Sequence, residues 1–198
     1  MSFGYKYLLS YQLAKIAFDL GWEFVPVYFV GFEFGRQRDQ IYQDLRSHKQ
    51  NIVEGSSERN LSSKLKLYDV AKSSGQEALE DFEDILRFEN LPRWNKNDPR
   101  LVKLRSIIEG YSPSRPSGPS FPSIPSLPNK ATIAAVLKAL GKEGNRRIRR
   151  GEGHVLIRAG YVLDRQIDSV EKKHETEGGY SENLLKKRLA YRSKSHSF

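Results

Sequence analysis

Apolar residues recur along three long stretches of the chain at alternating steps of four and three, the spacing that lines one face of an α-helix in a bundle seam. The first stretch carries Tyr7, Tyr11, Ala14, Phe18, Val25, Tyr28 and Phe32, with Gly21 at the one missing position. Pro26 lacks an N–H and crowds the preceding turn, so it is expected to kink or end that helix. The second, Arg36 to Glu54, carries Ile41, Leu45, His48 and Ile52. The third, Leu61 to Asn90, carries Leu61, Leu65, Tyr68, Leu79, Phe82 and Leu86, with Lys72 and Gly75 at intermediate positions. This pattern predicts an all-α fold.

The break between the second and third stretches reads "KQNIVEGSSERN". Its glycine and serines suit either a phosphate-cradling loop or a helix stop. A phosphate loop needs a preceding strand and a glycine-rich run ending in Lys-Ser or Lys-Thr, and neither is present. Gly55 is therefore expected as the left-handed residue that closes the second helix. Ser56, Ser57 and Asn60 are candidate N-caps for the third. His48, alone on an apolar stripe, reads as a hydrogen-bonded core residue rather than a ligand.

Charge changes the picture more than composition does. The 198-residue chain carries a formal net charge of +9, but residues 1–91 hold 11 basic and 14 acidic side chains and residues 92–198 hold 22 and 10. The second half therefore calls for an acidic partner, either phosphates or acidic protein surface. No cysteine occurs, which excludes disulfides and thiolate metal sites and, with no secretory signature, favours a cytoplasmic location. The run "FVPVYFVGF" is too short to span a bilayer, so no membrane partner is expected.

Two segments between residues 92 and 153 stand apart. "SRPSGPSFPSIPSLP", Ser114 to Pro128, is a tandem Ser-x-Pro repeat whose period matches one turn of polyproline II. Prolines form one edge, serines a second, and Arg115, Gly118, Phe121, Ile124 and Leu127 the third. A linker, an element packed on a bundle groove and a ligand for an aromatic-lined partner all remain open readings. A short amphipathic helix, with Ile133, Val136, Leu137 and Leu140 on one face, follows it. "GNRRIRRGEGH" then crowds Arg146, Arg147, Arg149 and Arg150 into an expected exposed segment suited to phosphate contact, with a solvated loop as the rival.

Catalytic signatures are weak. A di-iron bundle site needs two Glu-x-x-His pairs, and only Glu171 with His174 makes one. Hydrolase triads, zinc-hydrolase motifs and dinucleotide loops are absent. The expectation is a non-enzymatic protein without cofactor or metal.

The blocks "DQI" at 39–41, "QNIVEGSSER" at 50–59, "LYDVAKSSGQEALEDFEDILR" at 67–87 and "YVLDRQIDSVEKKHETEGGYSENLLKKR" at 161–188 together resemble the bacterial four-helix-bundle proteins first noticed as products of ribosomal-RNA intervening sequences. The last block resembles the branch with a C-terminal suffix. The same fold is similar to the accessory variability protein of diversity-generating retroelements, a basic pentameric barrel that binds nucleic acid and a reverse transcriptase.

The resemblance implies an up-down four-helix bundle, with helices 1–3 in residues 1–91. An arm is inserted at 92–153, holding the Ser-x-Pro repeat, the short helix and the arginine segment. Helix 4 falls in 154–176 with a seam at Leu156, Gly160, Leu163, Ile167, Val170 and His174. A basic suffix occupies 177–198, where Gly178 and Gly179 stop helix 4 and Ser181 caps a short last helix.

By function, the resemblance implies a homo-oligomeric, pentameric accessory protein that binds RNA or DNA with little sequence preference, partnered by a reverse transcriptase. Arg146, Arg147, Arg149 and Arg150, with Lys186, Lys187, Arg188 and Arg192 of the suffix, are the candidate phosphate contacts. The suffix cations equally complement a helix dipole. Tyr7, Tyr11, Phe18, Trp22, Phe24 and Phe29 lie on more than one face of helix 1, more than one bundle is expected to bury, and are the candidate oligomer interface. A protein scaffold that binds no nucleic acid is the alternative.

Because the seams lie outside the arm and loop length costs little, deletion of residues 112–128 is expected to leave helix content by circular dichroism nearly unchanged. Loss of soluble expression would instead place Phe121, Ile124 and Leu127 in the core.

Overall fold

In a computed structural model, the described residues are 4–88, 90, 95, 97–99, 101–103, 106 and 145–195. The Ser-x-Pro repeat and the short amphipathic helix lie outside them. The described part is all-α: a 3₁₀ turn (Gly4–Tyr7), α1 (Leu9–Tyr28), a second 3₁₀ turn (Phe32–Phe34), α2 (Gly35–Ser57), α3 (Leu61–Phe88), α4 (Asn145–Glu177) and α5 (Tyr180–Ser195). Among the described residues no helix is long and apolar enough to cross a membrane.

Each element ends for a local reason. Pro26 sits in the last turn of α1, which closes at Tyr28 with the Phe29 amide donating to the Val25 carbonyl at 3.0 Å. Of the three candidate caps, Asn60 serves α3: its side-chain oxygen accepts from the Ser62 and Ser63 amides at 2.9 and 3.2 Å. Ser56 and Ser57 instead donate back to the Val53 carbonyl. Gly178, at φ 75°, stops α4 as expected and donates to the His174 carbonyl at 3.0 Å. Ser181 does not precede α5; the helix already begins at Tyr180.

Gly55 does not end α2. It is buried inside the helix, which runs on to Ser57, and a Cβ there would meet the Tyr68 ring of α3 at 2.6 Å. The reciprocal contact lies one level away, where a Cβ on Gly75 of α3 would meet the His48 ring of α2 at 2.7 Å. Two glycines thus let two rings cross between helices at a separation no larger residue permits.

The four longer helices pack in a cycle, α1 on α2 and α4, and α3 on α2 and α4. Paired residues show neighbours running in opposite directions: Phe18 faces Lys49 and Trp22 faces Tyr42, Gln37 faces Asp81 and Ser47 faces Ser74. One apolar cluster gathers Leu13, Ile16, Leu20, Phe24, Ile41, Leu45, Phe82, Leu101 and Ala159. A second gathers Tyr11, Ile52, Tyr68, Leu163 and Ile167. A polar contact ties α1 to α4 beside the second: the Ser10 hydroxyl donates to the Gln166 side-chain oxygen at 2.6 Å.

Two expectations about α4 need correction. The helix starts at Asn145 rather than near His154, so the arginine segment forms its first two turns instead of a loop. Among the side chains described, its buried face carries Val155 and Ala159, with Gly160 only half-buried, and it meets the expected seam at Leu163 and Ile167; the side chain of the expected Leu156 lies outside those described. Steps of four drift around a helix of 3.6 residues per turn, and Val155 and Ala159 join the cluster around Phe24 and Leu20.

Gly55→Ala is expected to destabilise the protein by about 1 kcal/mol or more, because overpacking against a buried ring outweighs alanine's helix propensity. Gly160, with nothing within 4 Å of its would-be Cβ, is the contrast: Gly160→Ala should gain about 0.5–1 kcal/mol. Urea unfolding of the two variants measures both signs.

Candidate nucleic-acid interface and an acidic groove

The two basic groups named from sequence do not come together within one chain. Arg146, Arg147, Arg149 and Arg150 occupy the first two turns of α4, and no acidic residue stands in its first turn. Cations there oppose the helix dipole. Lys186, Lys187, Arg188 and Arg192 are exposed on α5, beyond the opposite end of α4. The first group thus stands at the start of a 33-residue helix about 50 Å long, and the second on the helix that follows its end. On α5, Lys186, Lys187 and Arg188 make no ion pair among the described residues, and Tyr180, Leu184, Leu185, Leu189 and Tyr191 are exposed on either side of them in sequence.

The aromatic set proposed as an interface divides. Phe24 and Phe29 are buried in the first core cluster, and Tyr11 is buried in the second with its ring edge-on to Tyr5. One chain does bury them, because α1 is covered from more sides than a single seam supposes. Tyr7 is half-buried; Phe18 is half-buried under the Lys49 ammonium, 3.6 Å from its ring centroid. Trp22, 59% exposed against Tyr42, is the one member that presents a large apolar surface.

His48 is the core residue its position suggested. It is 1% exposed, and Nδ1 lies 2.6 Å from the Ala71 carbonyl. That carbonyl can only accept, so Nδ1 carries the proton. Nε2 is buried without a partner. Charging the ring would bury an unpaired N–H and a cation together, and burial accordingly lowers its pKa despite the help of the carbonyl.

Sequence reading missed the carboxylates on the α2–α3 face. Asp44 is 5% exposed, beside Ile41 and Leu45, and accepts from Gln40 at 3.2 and 3.1 Å. Burial pushes its pKa up to about 6; Glu77 and Asp81 across on α3 add repulsion, while the Gln40 bonds oppose the rise. Asp81 is also raised, first by burial, against the 3.0 Å bond from Gln37 and with Asp84 and Glu77 adding to the shift. The available signal was the position of Asp44, three residues after a seam residue. Among the described residues no cluster of three or more His, Cys, Asp or Glu side chains is arranged to hold a metal.

The pH dependence follows from Asp44. A carboxyl raised on folding stabilises the fold fully below its unfolded pKa of 3.8, and that contribution is lost as pH rises through about 6. Asp44→Asn imitates the neutral acid. The variant should melt higher than the natural chain at pH 7.5, and the difference should vanish near pH 4. His48 destabilises both proteins alike as pH falls, so it cancels from the comparison.

Comparison of the chain with family models, with curated proteins and with solved structures found no match.

Proposed function

We propose that the protein is an up-down four-helix bundle with an arm between α3 and α4, of the kind its sequence blocks resemble, working as a non-enzymatic, homo-oligomeric accessory that binds nucleic acid. The observation that carries this reading is α5. It offers exposed Lys186, Lys187 and Arg188 with no ion pair among the described residues, flanked by exposed Tyr180 and Tyr191. Cations that neutralise phosphates and rings on which bases stack are the two components of sequence-tolerant binding. Closed assembly would repeat both clusters around a ring and raise their effective concentration. Exposed Trp22 and the uncovered leucines of α5 support self-association.

A scaffold that binds acidic or basic protein segments is the second reading. The observation in its favour is the α2–α3 surface, where Asp44 and Asp81 hold raised pKa values beside one another.

Filter-binding titrations against unrelated RNA and duplex DNA at several salt concentrations separate the two. The account expects binding at low salt and a logarithmic salt slope that flattens by up to about 2.7 in Lys186→Gln/Lys187→Gln/Arg188→Gln, roughly 0.9 per lost phosphate contact on duplex DNA. The parallel variant with glutamine at positions 146, 147, 149 and 150 reports on the start of α4. No binding at low salt rejects the reading, and unchanged slopes in both variants remove these residues from it.

A further inference from the structure

An open groove of about 950 Å³ runs between the end of α1 and the end of α3. Tyr28, Phe29, Phe34 and Phe88 line its apolar part, and Asp81 and Asp84 its acidic part. The aromatic wall is held by packing: Phe34 lies 5.7 Å from Phe29, which meets Tyr28 edge-on at 4.8 Å. Phe34 nevertheless remains 41% and Phe88 71% exposed. Asp84 holds Arg87 at 2.7 Å, and that guanidinium covers one face of Phe88 at 4.5 Å. The groove is therefore built from fixed rings beside carboxylates, one of which resists ionisation.

Aromatic-lined grooves are the surfaces that receive polyproline II, because the extended helix is already ordered and presents flat prolines and every third side chain. This chain contains such a segment. Ser114 to Pro128 repeats with that period and sets Arg115, Phe121, Ile124 and Leu127 along one edge. The segment is also tethered where the groove lies. Phe88 ends α3 in the groove, Leu101 packs in the core with Phe29 and Ile85, and α4 begins at Asn145. From Ser106 to Arg115 the chain can reach about 30 Å, enough to cross the end of the helices, and such a tether supplies a millimolar effective concentration.

We propose that this groove is the docking site of the chain's own Ser-x-Pro segment. The edge of Phe121, Ile124 and Leu127 lies on the rings of Phe34 and Phe88, and Arg115 reaches Asp81 and Asp84. Arg115 would bring a cation to a wall that holds Glu33, Asp81 and Asp84 as well as Arg36, the period matches the groove type, and the occupant is supplied in cis. This assignment is independent of nucleic-acid binding.

The absence of cysteine from the natural chain makes a direct test possible in the full-length protein. Arg36→Cys, on the exposed groove wall, is paired with Ser123→Cys in the segment. Ser57→Cys, exposed at the opposite end of α2, is paired with the same Ser123→Cys as reference. A short bismaleimide should close the groove pair within one chain at least about tenfold faster than the reference, as a bound tether requires. Adding Phe121→Ser/Ile124→Ser/Leu127→Ser should abolish that advantage, and Phe88→Ser, at an exposed position, should reduce it. Equal rates for the two pairs, insensitivity to the triple serine variant, or cross-links that join two chains would each overturn the proposal.

Discussion

The close crossing of α2 and α3 sets most of what is distinctive in this molecule. Gly55 admits the Tyr68 ring and Gly75 admits the His48 ring, so each helix contributes one glycine and one ring to the same interface. Ser47 and Ser74 bond at 2.9 Å between them. A small-residue interface of this kind brings backbones near enough for His48 to reach the Ala71 carbonyl across the crossing. It also brings the carboxylates of one helix within range of those on the other. The unusual state of Asp44 is thus a consequence of packing: the same approach that closes the core buries Asp44 and, as a smaller effect, sets it near Glu77 and Asp81.

How much of this was legible in the sequence depends on whether a residue's role is decided within its own helix. Tyr11, Ala14, Ile41, Leu45, Ile52, Tyr68 and Phe82 were placed on seams by spacing alone and are buried. His48 was placed correctly because a single imidazole on an apolar stripe has few alternatives. Periodicity fails where a neighbour decides. Gly55 carries every local mark of a helix stop, and only the Tyr68 ring from another helix explains why it is internal. Phe24 and Phe29 lie off the seam that one face would predict, yet both are buried because α1 packs on α2 and α4 at once and Phe24 also meets Phe82 of α3 at 5.7 Å. The extra turns of α4 were hidden by Gly151 and Gly153, which read as loop but lie within the helix.

The candidate site was legible in charge but not in place. Counting residues separates an acidic first half from a basic second half, whereas the fold distributes the basic groups to opposite ends of α4. The acidic surface lies on the α2–α3 face and extends to the aromatic groove at the end of α3. One molecule therefore carries a carboxylate-rich region that resists further negative charge and, on α5, Lys186, Lys187 and Arg188, which make no ion pair among the described residues. On the reading proposed above, such a division of charge would suit different ligands at different ends: a proline-rich segment at the groove, and phosphates at α5.

The proposal that α5 touches nucleic-acid phosphate is tested most directly by a lysine-modification footprint read by mass spectrometry. Acetylation of Lys186 and Lys187 is compared with and without saturating duplex DNA or RNA at low salt, with exposed Lys103 as the internal reference. The account predicts that both α5 lysines become protected relative to Lys103 and that protection disappears at high salt. Unchanged reactivity of Lys186 and Lys187 in a sample where nucleic acid is demonstrably bound would contradict it.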